Sequence, residues 1–168
     1  MAERRLVLVD ANVLINLSKV DRLDLLGTLA DLDFCAPPEV LGEVLNEPGK
    51  TLVGRCLGDS HLRELPFSMV GELTLFTQLS RIMGMGEAAC LSIAFHRGAL
   101  LASDEKRVFR REAEARLGPG RLLNTPGLLL LAIRRGILTV GEADELKHHL
   151  EARQFKMTFG SFRALLTP

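Results

Sequence analysis

Four carboxylates, Asp10, Glu43, Glu87 and Asp104, stand where their type and placement could do chemistry. Asp10 stops the apolar run Leu6-Val7-Leu8-Val9, and Asp104 follows the short run Ala99–Ala102 by two residues. Glu87 opens a helical stretch just after Gly84-Met85-Gly86, and Glu43 lies in the proline-led segment that follows Asp33-Phe34-Cys35-Ala36. In an open parallel sheet, ligands sit beyond the carboxyl ends of the strands. Carboxylates gathered at that edge repel one another unless a cation neutralises them or some keep their protons. Hard oxygen donors without a His or Cys cluster favour Mg²⁺ or Mn²⁺ over zinc. An ion of that kind retains water that can be made nucleophilic while the charge on a phosphoryl oxygen is offset. The chemistry so indicated is phosphodiester hydrolysis.

Each acid also has a local explanation. Asp10 and Asp104 could serve as helix N-caps, and Glu87 sits in a first turn, where the helix dipole favours negative charge. Glu39, Glu43 and Glu47 form an i, i+4 stripe that reads as a solvated face. Like charges at that spacing cost only about 0.2–0.5 kcal/mol per pair. The conjunction of acids, rather than any one of them, carries the chemistry. His61, His96, His148 and His149 share no ligand spacing with the acids and take no role.

Residues 6–9, 33–36, 62–67, 99–102 and 122–123 read as strands. Helices are expected over 11–18, 21–30, 37–46, 51–60, 70–83, 87–96, 104–116, 126–135, 141–153 and 161–166. Strands separated by helices imply βα units, a mostly parallel sheet and helices on both faces, hence an α/β fold. The glycines match neither a P-loop nor a GxGxxG fingerprint.

The bulk numbers bound the answer. A chain of 168 residues fits one domain spanning 1–168, with a core of about 5–125 and a C-terminal helical extension of about 126–168. Hydrophobic residues make up 47%, enough for a core, and without Trp or Tyr that core must be aliphatic, built from Leu, Val, Ile and Ala with a few Phe. Lys+Arg and Asp+Glu balance at 21 each, which argues against nonspecific coating of nucleic acid. A local basic rim remains compatible with that balance. Cys35, Cys56 and Cys90 lack any CxxC pairing, so buried thiols in a reducing cytoplasm are expected. The apolar runs at 6–9 and 127–133 are too short for a signal peptide or a membrane span.

Leu8-Val9-Asp10-Ala11-Asn12-Val13-Leu14-Ile15 resembles the opening motif of the PIN-domain family, and within it of VapC-like ribonucleases and stand-alone PIN proteins. Pro37-Pro38-Glu39-Val40-Leu41-Gly42-Glu43-Val44 resembles the proline-led helix that carries the family's second acid. Gly86-Glu87-Ala88-Ala89-Cys90-Leu91-Ser92-Ile93-Ala94 is similar to its third motif, and Leu100-Leu101-Ala102-Ser103-Asp104-Glu105-Lys106-Arg107 to its last strand and acid. The resemblance implies a three-layer α/β/α sandwich, frequent homodimers, and Mg²⁺- or Mn²⁺-dependent cleavage of single-stranded or structured RNA to 5′-phosphate and 3′-hydroxyl ends. It implies that Asp10, Glu43, Glu87 and Asp104 are the catalytic, metal-binding acids, with Asn12, Ser103 and Glu105 in support. Either Asp104 or Glu105 would face the metal. Lys106, Arg107, Arg110 and Arg111 are candidates for contact with the RNA backbone, or else an ordinary solvated helix face. One biological setting is the toxin of a toxin–antitoxin pair, with an antitoxin protein as partner. The rival reading is a PIN-fold binding or regulatory module that has lost its chemistry. A haloacid-dehalogenase type of phosphatase would need a second aspartate where Asn12 stands.

Overall fold

Val7, Leu8 and Val9 are fully buried, as an apolar run without alternation requires when helices cover both faces of a sheet. They form β1 (Arg5–Val9), at the centre of a five-stranded sheet in the computed structural model, which describes residues 3–166. Residues 1–2 and 167–168 of the expected 1–168 domain lie outside the described residues. β2 (Leu32–Ala36) and β4 (Leu100–Ala102) flank β1, with β3 (Arg63–Glu64) and β5 (Leu122–Leu123) at the edges. The order is β3-β2-β1-β4-β5 and every pairing is parallel. The direction of winding therefore reverses between β1 and β4, where a crevice opens beyond the strand ends.

The helices are α1 (Ala11–Lys19), α2 (Leu25–Thr28), α3 (Pro38–Leu41), α4 (Gly49–Gly58), α5 (Val70–Leu79), α6 (Met85–Arg97), α7 (Val108–Leu117), α8 (Thr125–Arg134), α9 (Val140–Ala152) and α10 (Arg163–Leu166). Helix α6 packs on β1 and β4 and against α3, α5 and α7. Helix α1 meets α4 and α8, and α8 meets α9. With helices on both faces of the sheet, the chain is a three-layer α/β/α sandwich. Its core is mostly aliphatic, with Leu8, Leu14, Leu17, Leu91, Ile93, Leu101 and Leu128 fully buried, joined by Phe34, Phe109 and Phe162. Among the described residues no helix is long and apolar enough to cross a membrane.

Five stretches depart from expectation, one of them the helix expected over 70–83, which ends at Leu79. The helix expected over 21–30 is reduced to α2, because Asp21 takes a positive φ of 53° and Arg22 pairs with Asp24 at 2.9 Å. The helix expected through residue 46 ends at Leu41, so the Glu39–Glu43–Glu47 stripe does not form. The strand expected over 62–67 holds only Arg63 and Glu64, both exposed at the sheet edge. Helix α7 begins at Val108 rather than beside Asp104, because Arg107 adopts φ 59° and the residues before it are tied to other elements.

Candidate metal centre

Asp10 leaves β1 at the reversal point and is only 2% exposed. Its backbone N–H donates to Ala102 O at 2.9 Å, which extends the β1–β4 ladder by one residue and fixes the carboxylate at the crevice. One carboxylate oxygen accepts the Ala11 N–H at 2.8 Å and the other accepts the Ser103 hydroxyl at 3.0 Å. Burial pushes the Asp10 carboxyl up to about 7, against the pull of those two donors, and the negative charges of Glu87 and Glu43 add to the rise.

Glu87 and Glu43 meet at the N-terminus of α6. Glu87 stands in its first turn and accepts the Gly84 N–H at 3.4 Å. Glu43, released from the helix that ends at Leu41, comes from the following turn to accept the Gly86 N–H at 3.0 Å. That amide is one of the unpartnered donors of a helix start, to which an anion is drawn. Glycine at position 86 leaves room for this approach: a Cβ there would stand 2.7–2.9 Å from the Glu43 carboxylate, which would have to shift. Glu87 is held above the ordinary carboxylate range by burial first, then by Glu105 and Glu43. Glu39, one turn before Glu43, has a buried Oε2 with no hydrogen-bond partner among the described residues.

The β4 side is built by two asparagines on one face of α1. Asn12 accepts the Asp104 N–H at 3.1 Å through Oδ1 and donates through Nδ2 to Glu105 at 3.0 Å. Asn16, one turn on and 6% exposed, donates to Asp104 Oδ2 at 2.9 Å. Thr125, at the start of α8, donates its N–H to Asp104 Oδ1 at 2.7 Å and its hydroxyl to Oδ2 at 2.5 Å. Three donors thus engage the Asp104 carboxylate and anchor the loop, while Glu105 is the member of the pair whose charge acts on Glu87. The Ser103 hydroxyl, besides donating to Asp10, accepts the Glu105 N–H at 3.1 Å.

The structure therefore brings Asp10, Glu43, Glu87 and Glu105 into one electrostatic neighbourhood, with Asn12 and Ser103 bracing it. Asp104 sits at its margin with its carboxylate turned to α1 and α8. Asn16 and Thr125 escaped sequence reasoning. The signal for Asn16 was its place in the apolar run from Val13 to Leu17, i, i+4 from Asn12. Thr125 carried no signal, because its partner lies 21 residues away.

As the side chains stand, no three His, Cys, Asp or Glu among the described residues converge closely enough to clasp one ion. The donor set nonetheless fits a hard cation. It consists of carboxylate oxygens, and no described ion pair involves Asp10, Glu43, Glu87, Asp104 or Glu105. Cys90, fully buried beneath the cluster, lies 3.7 Å from Val9 O, and burial with the surrounding acids raises its thiol well above the ordinary range. A thiol so held is no thiolate donor. Of the candidate cations, Lys106 and Arg110 line a cleft beside Asp104, whereas Arg111 lies 3.8 Å from Glu112 and Arg107 opens the turn into α7.

Among curated proteins no match to the chain was found. A family model described as a PIN domain matches residues 6–164, and its coverage takes in every acid of the cluster. On that match and on its parallel β3-β2-β1-β4-β5 sheet, the chain belongs to the PIN-domain family and has a nuclease-type fold.

Proposed function

We propose that the chain is a Mg²⁺- or Mn²⁺-dependent endoribonuclease that hydrolyses phosphodiester bonds of RNA at the β1–β4 crevice. The observation that carries this reading is Asp10: a buried carboxylate raised to about 7, beside two further acids, with no cation among the described residues to pair it. Burying such an acid in its ionised form is costly unless a cation stands against it, and otherwise it keeps its proton. Asp10, Glu43, Glu87 and the Asp104–Glu105 pair are the residues that would hold the ion. When bound, a divalent cation of this kind activates water and offsets the charge that develops on the phosphoryl and leaving oxygens.

The chain's own residues have distinct parts in this account. Ser103 and the Ala11 N–H fix both oxygens of Asp10, so that its position is set before an ion arrives. The Gly86 N–H holds Glu43 at the mouth, and Asn12 aims Glu105 inward from α1. Asp104, bound by Asn16 and Thr125, keeps the loop after β4 in register with α1. Glu43, Glu87 and Glu105 are the more exposed acids, able to turn about their side-chain bonds and close on a cation.

The test is cleavage of a single-stranded RNA in Mn²⁺ by the wild-type chain and by Asp10→Asn. The expected loss is at least about 100-fold, the scale on which removal of a charge-stabilising group slows an enzyme, with circular dichroism unchanged. Full activity in Asp10→Asn would remove the proposal. A second reading, a PIN-fold binding module without chemistry, draws on the engagement of Asp104 by three donors. It predicts that neither form cleaves.

A further inference from the structure

A cleft of about 450 Å³ runs from Asp104 to the segment that links α9 and α10. One wall carries Lys106 and Arg110 from the β4–α7 region; the other carries Phe155, Lys156 and Phe159 from the C-terminal extension. A smaller hollow of about 150 Å³ shares Asp104, Lys106 and Arg110 with this cleft and adds Ser103 and Glu105. Glu105 and Ser103, which bonds Asp10, line that hollow, so it adjoins the acid cluster. The far wall is firmly seated. Asp144 on α9 accepts the Ser161 hydroxyl at 2.6 Å and the Phe162 N–H at 2.9 Å, and Phe162 is fully buried. The Phe159 ring rests edge-on against Phe162, centroids 4.9 Å apart.

Charge and chemistry change sign along this path. At one end stand unpaired carboxylates, which a divalent cation would invert. At the other, Lys106 and Lys156 are exposed and have no carboxylate partner among the described residues, and Arg110 pairs only with exposed Glu114. Beside Lys156 on the same wall stand the half-buried rings of Phe155 and Phe159, the latter with Lys147 Nζ 5.8 Å from its centroid. Cations that track a phosphate backbone, together with aromatic faces against which unpaired bases pack, form the surface that holds single-stranded nucleic acid. A duplex keeps its bases stacked inside and has no use for the rings.

We propose that residues 155–159 form the far wall of a cleft for the unpaired RNA strand that flanks the scissile bond. In this arrangement Lys106 and Lys156 hold phosphates from opposite walls, and a base rests on the Phe155–Phe159 side. The C-terminal extension then becomes part of the substrate site rather than an appendage to the sandwich. The inference rests on the nuclease reading for its substrate but is tested by binding alone.

The experiment uses the full chain in EDTA with a fluorescein-labelled 12-nucleotide oligouridine, its affinity measured by anisotropy across a salt series. The double variant Lys106→Gln/Lys156→Gln should bind about tenfold more weakly. It should also flatten the slope of log affinity against log salt by about 1.4, at about 0.7 per phosphate lost on a single strand. Its melting temperature should match wild type, because both lysines are exposed and make no ion pair among the described residues. A 12-base-pair RNA duplex should bind more weakly than the single strand. Unchanged affinity and slope in the double variant, no binding by wild type, or equal affinity for the duplex would each overturn the proposal. Loss of binding in the double variant alongside a wild type that cleaves nothing would sink the nuclease reading and leave the cleft standing. Cleavage by wild type with unchanged binding in the double variant would do the reverse.

Discussion

Asp10 and Glu72 are both buried acids at helix starts, and the chain treats them in opposite ways. The Glu72 side chain is fully buried at the start of α5, yet it is surrounded by donors. Arg97 of α6 reaches it through Nε at 2.6 Å and Nη2 at 3.2 Å, and the Ser68 and Met69 N–H groups donate at 2.8 and 3.3 Å. Burial pushes its carboxyl up, but Arg97 and the two amides more than offset this and hold it below the ordinary range. Ser92 on α6 also donates to the Glu72 carbonyl, which locks the α5–α6 pair. Asp10 has one amide and one hydroxyl, no arginine among the described residues, and two acids for neighbours, so burial first and then those acids raise its carboxyl to about 7. Where a buried charge serves the fold, the cation is encoded in the chain. At the crevice no cation among the described residues stands against Asp10.

The contrast can be broken first on the satisfied side. Arg97→Met strands a fully buried carboxylate and should lower stability by about 3 kcal/mol, the lower end of the cost of removing one partner of a buried pair. Urea unfolding should show this at neutral pH, with Mn²⁺ affinity unchanged. A loss within about 0.5 kcal/mol, typical of an exposed site, would mean that Glu72 does not depend on its arginine.

The next effect concerns pH and has opposite signs at the two acids. Asp10 is raised from 3.8 to about 7 in the folded chain. The folded protein therefore holds a proton that the unfolded chain releases, and stability falls as pH rises from about 4 to about 7. At about 1.4 kcal/mol per pH unit this amounts to on the order of 4 kcal/mol as an upper bound. Glu72, being lowered, contributes stability above its ordinary range that is lost only as pH falls through the lowered value. Metal-free thermal melts should thus show a decline toward pH 7 that Asp10→Asn flattens and that Mn²⁺ reverses. An Asp10→Asn protein with the same slope as wild type would assign the decline to other groups.

Much of this contrast was legible in the residues. Leu6–Val9 announced a strand covered on both faces, and Asp10 at its end announced a crevice. Glu87 was marked by the glycines before it. Glu43 was harder to read, because an i, i+4 stripe presumes a helix, and the helix stops at Gly42 before the stripe can form. Freed from α3, Glu43 finds the Gly86 amide 43 residues away. The choice between Asp104 and Glu105 also depends on tertiary contacts, with Asn16 and Thr125 lying 88 and 21 residues from Asp104. The Arg97–Glu72 pair spans 25 residues and left no local trace. Periodicity reports which face is buried; it does not report which polar groups will meet there.

The account stands on the cation that the crevice lacks and the Glu72 pocket does not. Diffraction at the manganese edge from crystals grown in millimolar Mn²⁺ tests it most directly. The expected result is an anomalous peak beside Asp10 and Glu87, with Glu43 and Glu105 turned toward it, Asp104 still held by Thr125, and no peak in Asp10→Asn crystals. An empty crevice under those conditions, or a peak that survives in Asp10→Asn, would contradict it.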